Sequence, residues 1–342
     1  MSKILITGGA GYIGSMLCTK LLELGHQVTT VDLLKYDKSS LNHLYFYKNF
    51  KLITDDIRKK SLMKKLINKN EFIIPLAALV GAPLCEKFKK DAISTNKDAI
   101  RMMCQLMTKK NKIIFLTTNS GYGVGEKNKF CDENSPLKPI SLYGRTKCEA
   151  EDLVKDNADN YVCFRLATVF GFSYRMRSDL LVNNFVSTAI KRNKLTLFEP
   201  HFRRNFIHVR DVVEAIVYTL KNFKKLKSNV YNLGLSSANI TKIMLAKKIK
   251  KNDDETRKTG SGCTRRSVDV QHTRWICRSN CERVQEGIFD GCGVFSTQRC
   301  ELAFRRQIES SRHGLRRIFG RRGGTHDIGI SGKSYTQVCD RI

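Results

Sequence analysis

Twice in this 342-residue chain a tyrosine is followed four places later by a lysine, a spacing that lets a phenol and an ammonium share one face of a helix. One is Tyr143 with Lys147, in "SLYGRTK"; the other is Tyr47 with Lys51, in "YKNFK". A tyrosine beside a lysine can serve as a general base, because the cation favours the phenolate that takes a proton from a hydroxyl. A phenol of ordinary pKa near 10 has to fall by about 3 units to work at neutral pH, a bias of roughly 4 kcal/mol. An ammonium about 5 Å away contributes roughly 3 kcal/mol at an effective dielectric constant of about 20. A chain this rich in lysine makes such pairs by chance, so spacing alone does not choose between the two.

The choice depends on the elements that carry each pair. "KILIT" (3–7) is a short apolar run ending in glycines, as a buried parallel strand does. Helical spacing follows through Ile13, Met16, Leu17, Leu21 and Leu24, and Gly25 closes that helix. "QVTTVD", "FKLIT", "FIIPLA", "KIIFLTT" and "VCFRLA" read as further strands, with helices predicted over 93–109 and 143–154. Apolar strands alternating with helices predict an α/β, doubly wound parallel sheet covered on both faces. Pro75 is compatible with a central strand only at its end.

"TGGAGYIG" (7–14) places Gly8, Gly11 and Gly14 between the first strand and the first helix. There, backbone amides and the helix N-terminus can meet a pyrophosphate. The glycines would serve a tight turn, close approach of a ligand, and close packing of helix on sheet. Asp32 ends the second strand, where a carboxylate takes both ribose hydroxyls of NAD and repels the extra phosphate of NADP. No arginine follows closely, and Lys35 is three residues away. NAD is the expected cofactor.

"TGGAGYIG", "VD", "DDI", "LAALVG", "TTNSGYG", "YGRTK" and "YNLG" stand in the order found in extended short-chain dehydrogenases/reductases. Within them the chain resembles the NAD-dependent epimerase/dehydratase family acting on nucleotide sugars, over about residues 3–250. The resemblance implies a Rossmann fold with a small, incomplete C-terminal substrate-binding portion. It implies an NAD-binding domain over 1–170 and a partial substrate region, interleaved with the core, over 171–251. It selects Tyr143 and Lys147 as the catalytic pair, with Lys147 also on the nicotinamide ribose. Thr118, four residues before Tyr122, is implied to hydrogen-bond the reacting oxygen. Tyr47 and Lys51 precede the third strand and belong to no such site. The same resemblance places Gly8, Gly11, Tyr12, Ile13, Gly14 and Asp32 on the dinucleotide. It places Asp56 and Ile57 at the adenine, Leu76, Ala77 and Ala78 along the cofactor, and Asn96 at the helix behind the site. Thr168 stands where many members have a substrate asparagine, and Arg204 where an arginine meets the substrate diphosphate. Asn205 replaces an aspartate that is usual there.

The implied activity is epimerisation of a nucleotide-activated sugar through a transient keto intermediate. Asn119–Ser120 follows Thr118 where 4,6-dehydratases place Asp–Glu, and an amide cannot protonate a leaving hydroxyl, which disfavours dehydration. A reductase or dehydrogenase that consumes its cofactor, and a non-catalytic NAD-binding protein, remain as alternatives.

The formal charge of +29 invites a nucleic-acid reading, but the lysines are spread along most helical stretches and no block interleaves aromatics with them. Nucleic acid is not an expected partner; a field of this sign draws anionic small molecules. The longest charge-free apolar stretch, 72–85, contains two prolines and is too short for a bilayer. No basic segment or cleavage-type site precedes the first apolar run, so a cytoplasmic protein is expected, with its 12 cysteines free. Family members commonly pair, so a homodimer is implied.

Composition changes near residue 251. Residues 1–251 hold 34 Lys and 10 Arg, whereas residues 252–342 hold 2 Lys and 15 Arg, with 6 of the 12 Cys and 11 of the 23 Gly. Such a tail has few apolar anchors to offset the entropy of ordering. It reads as a foreign or out-of-frame, poorly ordered segment, or as a genuine divergent region. Cys263, His272, Cys277, Cys281 and Cys292 within it match no close metal-ligand spacing, so no metal is expected.

Overall fold

The computed structural model describes residues 1–125, 130–192 and 194–258, with side chains through residue 250. The expectations for the tail from residue 259 onward, its cysteines and histidine included, lie outside the described residues.

The described residues form ten strands: β1 (Lys3–Thr7), β2 (Gln27–Asp32), β3 (Phe50–Thr54), β4 (Phe72–Pro75), β5 (Lys112–Thr118), β6 (Tyr161–Leu166), β7 (Thr168–Phe170), β8 (Arg203–His208), β9 (Asn229–Leu233) and β10 (Asn239–Thr241). Nine helices accompany them: α1 (Tyr12–Glu23), α2 (Lys60–Ile67), α3 (Ala82–Lys87), α4 (Lys89–Ile93), α5 (Ala99–Leu106), α6 (Leu142–Asn157), α7 (Leu181–Arg192), α8 (Val209–Leu226) and α9 (Lys242–Lys258). Seven strands make one parallel sheet in the order β3-β2-β1-β4-β5-β6-β9. The order reverses between β1 and β4, and the crevice at that switch point is where a doubly wound sheet binds its ligand.

Alternation along the strands supplies two apolar layers. Ile4 and Ile6 of β1 pack with Leu17 and Leu21 of α1 and Ile216 of α8 on one face. Leu5 packs with Met103 of α5 and Val154 of α6 on the other. Both faces are therefore buried, which is why the strands are continuously apolar. Pro75 ends β4 opposite Thr7, while the pairing of β4 with β5 stops at Ile73, so the missing N–H disrupts no ladder bond on that side. β7, β8 and β10 form a second, small sheet over a third apolar cluster that includes Phe170, Phe185, Phe206 and Leu245.

The continuous helix expected over 93–109 is interrupted. α4 passes into a π-helical turn, Ser94–Asp98, before α5 begins. The interruption turns Asn96 inward, where it is 1% exposed. Wide turns of this kind recur at functional sites.

Candidate active site

Two glycines of the turn after β1, Gly8 and Gly14, leave no room for anything larger. Gly8 has φ 74°, and a Cβ there would lie 2.5 Å from the Ala77 amide nitrogen. A Cβ at Gly14 would lie 2.3 Å from the Gly8 carbonyl oxygen. At Gly11 a Cβ would meet only that same oxygen, at 3.0 Å, and its other side is open. Gly11 caps α1 without any side-chain hydrogen bond, so the first-turn amides carry no competing cap. This open cradle at a helix N-terminus fits a dinucleotide pyrophosphate.

Asp32 closes one end of the cradle. Its carboxylate accepts the Ala10 N–H at 3.0 Å and the Leu34 N–H at 2.8 Å. Leu34 is held at φ 51° to make that contact, an uncommon conformation for leucine. Burial raises the Asp32 pKa, and these two amides pull it back. The remaining lone pairs can accept ribose hydroxyls.

The other cofactor candidates have mixed roles. Leu76 donates its N–H to the Thr7 carbonyl at 2.9 Å, and Ala77 donates to Thr7 Oγ1 at 3.3 Å, which sets the chain leading to Ala78 against the glycine turn. Asn96 clamps the next residue in both directions. Its Oδ1 accepts the Leu79 N–H at 2.8 Å, and its Nδ2 donates to the Leu79 carbonyl at 2.9 Å. Its amide is thus committed to positioning this segment. Ile57 is buried in the core with Met63 and Ile67, and Ile13 packs against the opposite layer. The Asp56 carboxylate is taken by Arg58, at 2.6 Å, which also bonds Asp91. Tyr12 points away from the cradle: its hydroxyl donates to the Gly171 carbonyl at 2.5 Å and accepts from Asn183 Nδ2 at 3.3 Å.

Thr118 ends β5, and its Oγ1 accepts the Ser120 N–H at 3.1 Å, capping the tight 3₁₀ turn Asn119–Tyr122. Ser141 caps α6 by accepting the Gly144 N–H at 3.1 Å, which fixes the helix start one residue before Tyr143. The Thr118 side chain stands near enough to the Tyr143 phenol to pull its pKa down. Lys147, one turn further on, is buried, with Nζ 4.1 Å from the centre of the Phe115 ring.

The electrostatics differ from the expectation drawn from spacing. Burial pushes the Tyr143 phenol up to about 12, and Arg177 is the cation whose field opposes this. Burial pushes Lys147 down to about 8. Desolvation therefore favours the protonated phenol and outweighs the opposing field of Arg177.

Beneath α6, Arg165 and Glu151, which lie outside every motif, tie together Tyr122 and Asn232, which lie within two of them. Arg165 of β6 meets Glu151, two turns after Tyr143, at 2.6 Å, and donates to the Tyr122 hydroxyl at 2.9 Å. That hydroxyl donates to Asn232 Oδ1 at 2.7 Å. No spacing signal could have joined residues this far apart in sequence. Thr168 opens β7 opposite Phe206, and exposed Arg204 pairs with Ile240. Both stand on the small sheet. Among the described residues no cluster of side chains is suited to a metal ion, and no helix is long and apolar enough to cross a membrane.

Comparison with known proteins matches residues 4–234 to the model of the NAD dependent epimerase/dehydratase family. The UDP-N-acetyl-alpha-D-glucosaminuronate decarboxylase of Bacillus cytotoxicus is 29% identical, over 68% of this chain and 74% of that protein. The UDP-glucose 4-epimerase of Lactobacillus helveticus is 28% identical, over 72% and 81%. Among solved structures, a UDP-glucuronic acid 4-epimerase from Bacillus cereus, in complex with a fluorinated UDP-sugar and NAD, superposes with a TM-score of 0.62 at 27% identity, covering 68% and 78%.

Proposed function

The chain belongs to the NAD dependent epimerase/dehydratase family, uses NAD, and on that premise we propose that it epimerises a nucleotide-activated sugar through a transient keto intermediate. The observation that carries this reading is the placement of Tyr143 and Lys147 one turn apart in α6, with Thr118 at the end of β5 near enough to lower the phenol's pKa and a neutral amide, Asn119, next in the chain. Epimerisation needs one proton moved off and back onto one oxygen, and a single phenol suffices for that. Dehydration needs a further acid for the leaving hydroxyl, and Asn119 has no proton to give.

Tyr143 takes the proton of the sugar hydroxyl and returns it to the ketone oxygen. Thr118 hydrogen-bonds that oxygen and orients it. Lys147 adds positive charge on the same helix face. NAD held by the glycine turn and Asp32 would supply a hydride acceptor and donor for that carbon and a cationic ring beside the phenol. We assign the glycine turn and Asp32 to its pyrophosphate and ribose, and Thr168 and Arg204 to the substrate. Pairing of two copies belongs to the same reading, and light scattering in solution tests it.

The deciding experiment incubates the NAD-loaded chain with a panel of UDP- and dTDP-sugars. Epimer formation without net absorbance change at about 340 nm is expected. Stoichiometric cofactor consumption would instead establish a dehydrogenase or reductase.

A further inference from the structure

The segment from Gly171 to Arg177 lies as a strap across the first turns of α1. Ser173 Oγ donates to the Tyr12 carbonyl at 2.6 Å and lies 3.0 Å from Ser15 Oγ. Tyr174 stacks on His43, with ring centroids 3.9 Å apart, and His43 Nε2 is 2.8 Å from Thr19 Oγ1. Between these anchors, Arg175 donates its backbone N–H to Ser15 Oγ at 3.4 Å, and its guanidinium lies 4.8 Å from the centre of the Tyr36 ring. Tyr36 follows Asp32 by four residues, on the segment leaving β2. The guanidinium also stands in the fields of Arg177, Asp179, Asp37 and Asp32. Lys35, the nearest cation in sequence, is turned to the Phe88 ring, at 5.9 Å.

Arg175 is half-buried, yet among the described residues its side chain makes no ion pair and no hydrogen bond. Partial burial of a cation is costly unless an acceptor meets it, and a planar fork backed by an aromatic ring is suited to a phosphate. Asp32, the carboxylate at the end of β2, already accepts two backbone amides.

We propose that Arg175 reads the 2′ position of the adenosine ribose, so that the site takes the 2′-phosphate of NADP as well as NAD. Asp32 then serves the ribose hydroxyls of NAD, and Arg175 neutralises the phosphate of NADP. This rests on the assignment of the glycine turn and Asp32 to the dinucleotide.

The test is titration calorimetry on the full chain freed of cofactor, using NAD, NADP, 5′-ADP and 2′,5′-ADP. NADP is expected within about tenfold of NAD for the unaltered protein. Arg175→Ala should weaken NADP and 2′,5′-ADP by about tenfold or more beyond its effect on NAD and 5′-ADP. Arg175→Lys, which keeps charge but loses the fork, should fall between, and it carries the test if the alanine variant does not fold. An unchanged NAD-to-NADP ratio in these variants overturns the proposal, as does equal loss of all four ligands. Binding of neither dinucleotide by the unaltered chain would sink the cofactor site itself.

Discussion

Arg165 and Glu151 meet through three nitrogen–oxygen contacts of 3.1, 3.2 and 2.6 Å, with side chains 5% and 0% exposed. Burial makes the pair costly to break and of little net benefit. Arg165→Met should lower unfolding free energy by about 3–5 kcal/mol, since Glu151 would be left charged and enclosed. Arg165→Met combined with Glu151→Leu should recover most of that loss. Urea unfolding measures both, and a double variant no more stable than the single one would contradict the account.

Tyr143→Phe removes the phenolic oxygen and little volume. Turnover should fall by about 10²–10⁴-fold, while NAD affinity measured by titration stays within about threefold. Unimpaired turnover would remove Tyr143 from the chemistry.

Lys147→Met should stabilise the fold at pH 7 by about 2–3 kcal/mol while abolishing activity. Lys147 falls from 10.5 to about 8 on burial. Between those values the unfolded chain holds a proton that the folded one has lost, so folded stability rises with pH there. The advantage of the methionine variant should therefore shrink as pH rises from 8 towards 10.5. A pH-independent difference in unfolding free energy would show that the ammonium is not desolvated.

Asn96→Ala frees both polar groups of Leu79. Stability should fall by about 1–3 kcal/mol, and NAD affinity should fall with it as the segment of Leu76 to Ala78 loses its anchor. Asn96→Asp keeps the acceptor for the Leu79 N–H but loses the donor to its carbonyl, and should give an intermediate loss. Unaltered NAD affinity in the alanine variant would separate this clamp from the cofactor site.

Local signals were legible in the sequence because they act over a few residues. The sheet followed from apolar strands and their intervening helices, and "KIIFLTT" is β5 residue for residue. The glycine turn, Asp32, Thr118 and the Tyr143 helix are likewise short-range patterns. The π-helical turn was not legible, because the clamp it accommodates joins Asn96 to Leu79, 17 residues away. The protonation of Tyr143 was not legible either, since spacing supplies the lysine but gives no measure of desolvation. Arg175 escaped for a third reason: it reaches the loop after β2 from a strap that begins beyond β7.

The bond from the Tyr12 hydroxyl to the Gly171 carbonyl joins residues 159 positions apart. At synthesis rates of about 5–20 residues per second, roughly ten to thirty seconds separate the emergence of its two ends from the ribosome. During that interval the nascent amino-terminal half carries a phosphate-type loop without its fastener. Maturation of the nucleotide pocket is thus a late event in the life of each new polypeptide, and protection of Tyr12 from chemical labelling should appear only after Gly171 and Asn183 have cleared the exit tunnel.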